Sequence, residues 1–409
     1  MSPLPPRVSN SAPAPGRLTG LDYNGRLVKP GLPVVYFTVF IDLVGFGIIL
    51  PQLPYYAEAF GATGVWVGAI LTAYSAAQLV GASLLGRLSD RFGRRPILLM
   101  SLAGSAASLL LSGLAGSLWL LLVARALAGL FGGSIAAAQA YIADVTAPTE
   151  RAKYMGLLGA SIGLGFVFGP ALGSFLSRFG FGAAAFAAAG LAAANLLFAF
   201  FRLPETRSVE ARRHAHARVD WSNFTDALHH PSIGRLLAAT FLSTLAFVAM
   251  EATFALLGEA RLGLGASRLG FVFAYVGVVM VIVQGGLVGR LAPRFGERAL
   301  ATAGALVMAA SLGALPLAPS IWLALVPLAG LAVGQGLTTP MLSTLLSRAT
   351  DADEQGGTLG LGQSFAAAAR AVGPIGAGWL YDRSVLAPYA AAAAVMVLAA
   401  FLVGSSRSD

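Results

Sequence analysis

Twelve apolar blocks, each about 18–25 residues long, follow one another from Val34 toward the C-terminus. That is the length a helix needs to cross a hydrocarbon core about 30 Å thick. The first block covers 34–56 and the last 385–404. Their apolar residues do not alternate in the dyad pattern of barrel strands, so they predict helices. The expected fold class is an all-α polytopic membrane protein with twelve transmembrane helices. Composition agrees: 11% of the 409 residues are charged, against about 25% in a soluble domain. There is no cysteine, so neither a disulfide nor a thiolate metal site is expected.

The formal charge of +9 has a topological explanation rather than a nucleic-acid one. With the N-terminus placed inside, 21 basic residues fall on the inner side of the spans and four outside: Arg178, Arg261, Arg268 and Arg383. The positive-inside bias puts both termini in the cytoplasm. Residues 1–32 are polar, rich in Pro, Ser and Gly, and lack a signal-peptide core, so they read as a flexible cytoplasmic arm. Arg outnumbers Lys 25 to 2 and Ala is abundant, which points to a GC-rich bacterial genome and a bacterial inner membrane.

A polar stretch, 204–232, separates six spans from six, giving bundles over 33–203 and 233–404 and a cytoplasmic tail over 405–409. The stretch carries His214, His216, His229 and His230, which read as solvated linker residues rather than metal ligands. The two halves are related. "GRLSDRFGRR" at 86–95 matches "GRLAPRFGER" at 289–298 in seven of ten positions. "LAGL" at 127–130 recurs at 328–331, and "GP" at 169–170 recurs at 373–374. Two six-helix halves repeated in parallel are a transporter architecture, with the substrate site between them near mid-membrane.

"GRLSDRFGRRPILL" is similar to the signature that the major facilitator superfamily carries between its second and third helices. Over about residues 33–404 the chain resembles that superfamily. The segments "DLVGFGIILPQLP" (42–54), "YIADVTAPTERAKYMG" (141–156) and "LGASIGLGFVFGPALG" (158–173) resemble the drug/proton antiporters of its tetracycline efflux group. Gly165, Gly169, Pro170 and Gly173 form a Gly-x-x-x-Gly-Pro-x-x-Gly pattern typical of its antiporters. The resemblance implies the major facilitator fold of two pseudo-symmetric bundles and no enzymatic activity. It also gives Gly86, Asp90, Arg91, Gly93 and Arg94 a gating role, as a latch that holds the halves together in the outward-facing state. In the second copy Pro293 replaces Asp90 and Glu297 replaces Arg94, so that latch is degenerate.

Four charges lie deep within spans: Asp42, Arg125, Glu251 and Arg370. A charge at the bilayer centre costs about 2.5–3.5 kcal/mol on insertion scales, so it is normally paired, cavity-facing and functional. Desolvation disfavours the ionised form of a carboxylate, so one beside a water-filled cavity can exchange a proton near neutral pH. Asp42 and Glu251 are the candidates, one per half. Arg125, in "RALAGLFGG", would hold or release a carboxylate. Arg370 would relay protons or fix the eleventh span to the seventh, and it departs from the tetracycline group's pattern there. Glu58, Asp144 and Glu259 lie at span ends and read as interfacial.

Phe46, Tyr74, Gln78, Gln139, Phe247, Gln284, Gln335 and Gln363 are the expected cavity lining, with Asn195 and Trp379. Pro51 and Pro54 would bend the outer part of the first span, and Pro170 the fifth. Without a P-loop, ATP-driven export has no support. The reading is a monomeric secondary transporter in lipid. It would exchange small amphiphilic drugs for protons, with no cofactor beyond the proton and no nucleic-acid partner. Uptake by proton symport and ligand sensing on the same fold are the alternatives.

Overall fold

The computed structural model describes residues 31–146, 148–205, 231–350 and 355–405. The arm, most of the linker with its four histidines, and the last four residues lie outside this set. Among the described residues, twelve long helices cross back and forth. In the first half they are α1 (Leu32–Glu58), α2 (Gly64–Phe92), α3 (Arg94–Gly113), α4 (Leu118–Val145), α5 (Pro148–Leu176) and α6 (Phe181–Arg202). The second half repeats them as α7 (Pro231–Leu262), α8 (Ala266–Phe295), α9 (Glu297–Ala314), α10 (Ile321–Arg348), α11 (Gln355–Arg383) and α12 (Ala387–Ser405).

Eleven of these are long and apolar enough to cross a membrane. The other, α11, is just as long, but its glycines, Gln363, Arg370 and Asp382 lower its hydropathy. Large apolar side chains such as Phe201, Trp322, Val326 and Phe401 are exposed on the outside, as a lipid-facing surface requires.

Packing follows one scheme twice. In the first half α1 packs on α5 and α6, α2 on α4, and α3 on α4 and α6. In the second half α7 packs on α11 and α12, α8 on α10, and α9 on α10 and α12. Each half has its own buried clusters. Ala184, Ala185, Ala188, Ala189 and Ala192 let α6 sit close in the first, while Met308, Leu331 and Met396 fill the second. The halves meet mainly through α2 with α11 and α5 with α8.

Those two joints are built alike. A methyl at Gly68 would lie 2.2 Å from the Pro374 carbonyl oxygen, and one at Gly270 would lie 2.2 Å from that of Pro170. Only glycine fits so close an approach. Both joints lie toward the face opposite the termini, where polar contacts add to them. The Gly64 and Val65 N–H groups, at the start of α2, donate to the two carboxylate oxygens of Asp382 at 2.6 and 2.9 Å. Ser174 donates to the Ser267 carbonyl at 2.6 Å, and Tyr55 to that of Leu264 at 2.7 Å.

On the face bearing the termini, three contacts among described residues each lie within a half. Arg94 pairs with Asp144, Arg348 with Glu297, and Arg235 donates to the Ser405 carbonyl. Among the described residues, the polar contacts named here that join the halves thus lie on the face opposite the termini.

Candidate functional site

A small cavity, about 40 Å³, lies within the first half. Asp42 from α1, Tyr74 and Gln78 from α2, Ser105 from α3, and Arg125 and Ser134 from α4 line it. The local cause is a break in α4. Helix stops at Leu130 and restarts at Ser134, across Gly132 and Gly133, which have low helix propensity. Irregular backbone at membrane depth is tolerated where it lines a cavity.

Ser134 opens the second segment and donates to Asp42 Oδ2 at 2.5 Å. The Gly132 carbonyl, freed by the break, accepts from Gln78 at 3.3 Å. Gln78 also donates to the Tyr74 hydroxyl at 3.2 Å, and the Tyr74 ring lies 5.0 Å from that of Phe46. Arg125 is 3% exposed. Its Nη2 donates to Ser112 at 2.9 Å, and its Nε has no partner among the described residues. In this conformation Arg125 thus holds a serine rather than a carboxylate.

The larger cavity, about 660 Å³, is lined mostly by the second half, with Leu50, Phe166 and Pro170 from the first. It holds Glu251 and Phe247 from α7, Gln335 from α10, and Gln363 and Arg370 from α11. It runs toward Leu346 and Leu359, at helix ends on the face bearing the termini. Sequence reasoning missed Thr240, Ser243 and Thr244, which line it too. Their signal was available: positions 240, 243, 244, 247 and 251 share one helical face. Met250, Phe273, Met280 and Thr339 were likewise not foreseen.

Four expected lining residues sit elsewhere. Gln139 and Gln284 are exposed and line neither cavity. Asn195 is buried and donates to the Thr38 carbonyl at 2.9 Å, tying α6 to α1. Trp379 is half-exposed beneath the Arg383 guanidinium, 3.2 Å from its ring centroid. A polar or aromatic residue in a span can serve a neighbouring helix or the interface as readily as a cavity.

The α2–α3 motif is organised by Gly93, whose φ of 109° belongs to the left-handed region and reverses the chain. Arg94 donates to Asp144 at 2.9 Å and to Ser89 at 3.3 Å. Glu205 accepts from the Arg94 and Arg95 N–H groups at 3.0 and 3.3 Å, where the N-terminus of α3 favours an anion. Asp144 is therefore a partner in this motif rather than a solitary interfacial residue. Arg91 is exposed beside the Phe92 ring, and the side chain of Asp90 lies outside the described residues. A Cβ at Gly86 would meet nothing within 4 Å.

The glycines of α5 pack against a neighbour in their own half. A methyl at Gly165 would strike Leu43 at 2.6 Å, at Gly169 the Gly47 Cα at 2.8 Å, and at Gly173 the Ile48 carbonyl at 2.4 Å. All three lie on α1, in the same half. The contact with the other half runs instead through the Pro170 carbonyl and Ser174. Pro51 falls in a 3₁₀ turn, Leu50–Gln52, that interrupts α1. Buried Gln52, not foreseen, donates to the carbonyls of Ile48 at 2.7 Å and Gly173 at 2.9 Å, pinning that turn to α5.

Comparison with known proteins agrees with this architecture. The pattern of the Major Facilitator Superfamily matches residues 35–374 and again 285–407. The class C tetracycline resistance protein of Escherichia coli is 32% identical over 379 residues, covering 92% of this chain and 93% of that protein. Multidrug resistance protein 2 of Bacillus subtilis is 27% identical, covering 89% of this chain and 92% of that protein. The crystal structure of the human organic anion transporter MFSD10 superposes with a TM-score of 0.68 at 26% identity, over 91% of this chain and 98% of that one. With two six-helix halves packed by one scheme and these relatives spanning nearly its whole length, the chain belongs to the Major Facilitator Superfamily and is a multi-pass membrane transporter.

Proposed function

We propose that this transporter is a proton-coupled antiporter that exports small amphiphilic drugs from a bacterial cytoplasm. It works as a monomer in the inner membrane, with both termini cytoplasmic. The observation that carries the reading is one carboxylate per half beside a cavity inside the spans: Asp42 against Ser134, and Glu251 in the 660 Å³ space. Resemblance to tetracycline and multidrug resistance proteins supports the drug class.

On this topology the conformation described above faces inward. Bundles 33–203 and 233–404 rock about the α2–α11 and α5–α8 joints, tethered by 204–232. Gly86, Asp90, Arg91, Gly93 and Arg94 then close the cytoplasmic face in the other state. Arg125 and Arg370 set the charge beside each carboxylate. Proton entry from outside favours the form that has released its drug. No cofactor beyond the proton takes part.

The test is tetracycline flux in inverted vesicles under an imposed proton gradient. Antiport gives gradient-driven accumulation and proton release on adding drug, and Asp42→Asn abolishes both at normal expression. Undiminished accumulation in that variant would sink the role of Asp42. Proton and drug moving together would replace antiport with symport.

A further inference from the structure

Two opposite charges face the larger cavity without meeting. Glu251 comes from the middle of α7 and Arg370 from α11, and both line the same space. Yet among the described residues no ion pair within 4.0 Å joins them, and neither side chain makes a hydrogen bond. Three other arginines do have partners: Arg125 bonds Ser112, Arg94 pairs with Asp144 and Arg348 with Glu297. A third group points the same way. Gln335 lines this cavity, and its buried Oε1 accepts no hydrogen bond among the described residues. The rest of the wall is largely apolar, with Phe247 and Phe273, and the volume suits a drug-sized ligand.

We infer that this cavity selects dipolar amphiphiles, taking a cationic group on Glu251 and an anionic group on Arg370. Gln335 offers an acceptor for a further N–H. A ligand with only a positive charge neutralises Glu251 and leaves a desolvated guanidinium. One with only a negative charge leaves the carboxylate. Each strands a charge that a dipolar ligand would satisfy. The inference rests on the proposed antiport only in taking this cavity as the drug site, and the two agree in sign. A cationic group competes with the proton for Glu251, as antiport requires.

The test is equilibrium binding to the purified full-length protein, which needs no gradient. Four fluorescent probes share one body: Nε-dansyl-lysine, a zwitterion; its methyl ester, a cation; its Nα-acetyl derivative, an anion; and the doubly blocked neutral form. The zwitterion is expected to bind roughly tenfold or more tighter than the neutral probe, the range for a desolvated charged hydrogen bond. Arg370→Gln should bring the zwitterion down to the level of the cation, and Glu251→Gln down to that of the anion. Arg370→Lys should restore most of the difference, and binding of the neutral probe reports that each variant is folded.

The inference is overturned if the lone anion binds best, if the zwitterion gains nothing over the neutral probe, or if Arg370→Gln and Arg370→Lys weaken all four probes equally. Loss of gradient-driven export with this charge preference intact would remove the antiport reading and leave the dipolar site standing.

Discussion

Ser134 governs Asp42 more closely than any charged residue does. Its hydroxyl is the hydrogen bond at 2.5 Å, whereas Arg125 is turned to Ser112. A hydrogen bond to a charged group is worth about 1.5–3 kcal/mol. Ser134→Ala should therefore slow proton-driven export roughly tenfold at unchanged expression, and Ser134→Thr should restore it, in the same vesicle assay. Wild-type rates in Ser134→Ala would show that Asp42 needs no such partner. The four intramembrane charges were legible because each interrupts an apolar block. Ser134 and Gln52 were not, since a small or amide side chain in a span carries no sign of which wall it faces. The sequence "FGGS" at 131–134 did hold a clue, as paired glycines before a serine mark a helix break and restart.

At the scale of the element, hydropathy located the helices well and their neighbours poorly. Spacing at i, i+4 and i+8 put Gly165, Gly169 and Gly173 on one face of α5, but no periodicity says whether that face meets α1 or α8. The same limit applies to α11, whose role at a joint asks for glycine and Asp382 rather than apolar side chains. The two joints differ in strength. A carboxylate on the first N–H groups of α2 closes one, and a serine hydroxyl closes the other. Such a carboxylate gains from the helix N-terminus as well as from its hydrogen bonds. Because the chain has no cysteine, a single cysteine introduced at Ser267 reports opening of the α5–α8 joint without background. Gly270→Val should raise its rate of alkylation several-fold, since the added Cβ has only 2.2 Å to the Pro170 carbonyl. Unchanged labelling would mean that the helices yield locally and the joint is not a tight seal.

For the whole molecule, the repeat was readable because "GRLSDRFGRR" and "GRLAPRFGER" still match 203 residues apart. The pairing of helices repeats as faithfully, with each contact of the first half mirrored in the second. Which contacts join the halves was not readable, because no repeat or hydropathy pattern says which helix faces meet across the two bundles. Under the proposed cycle Asp90→Asn should lower turnover about tenfold, measured as tetracycline flux, with equilibrium tetracycline binding in detergent nearly unchanged. A selective loss of affinity would contradict a latch.

The bare-backbone joints carry one more consequence. Glycine against a carbonyl has no rotamers to freeze, so on shutting such a seam the side-chain ordering falls on few residues, Asp382, Ser174 and Tyr55 among them. Bulky gates lose about 0.5–2 kcal/mol of rotamer freedom per side chain on closing. Where glycine meets main chain that loss is avoided, so these joints should close at a smaller cost in side-chain entropy than a gate of bulky residues.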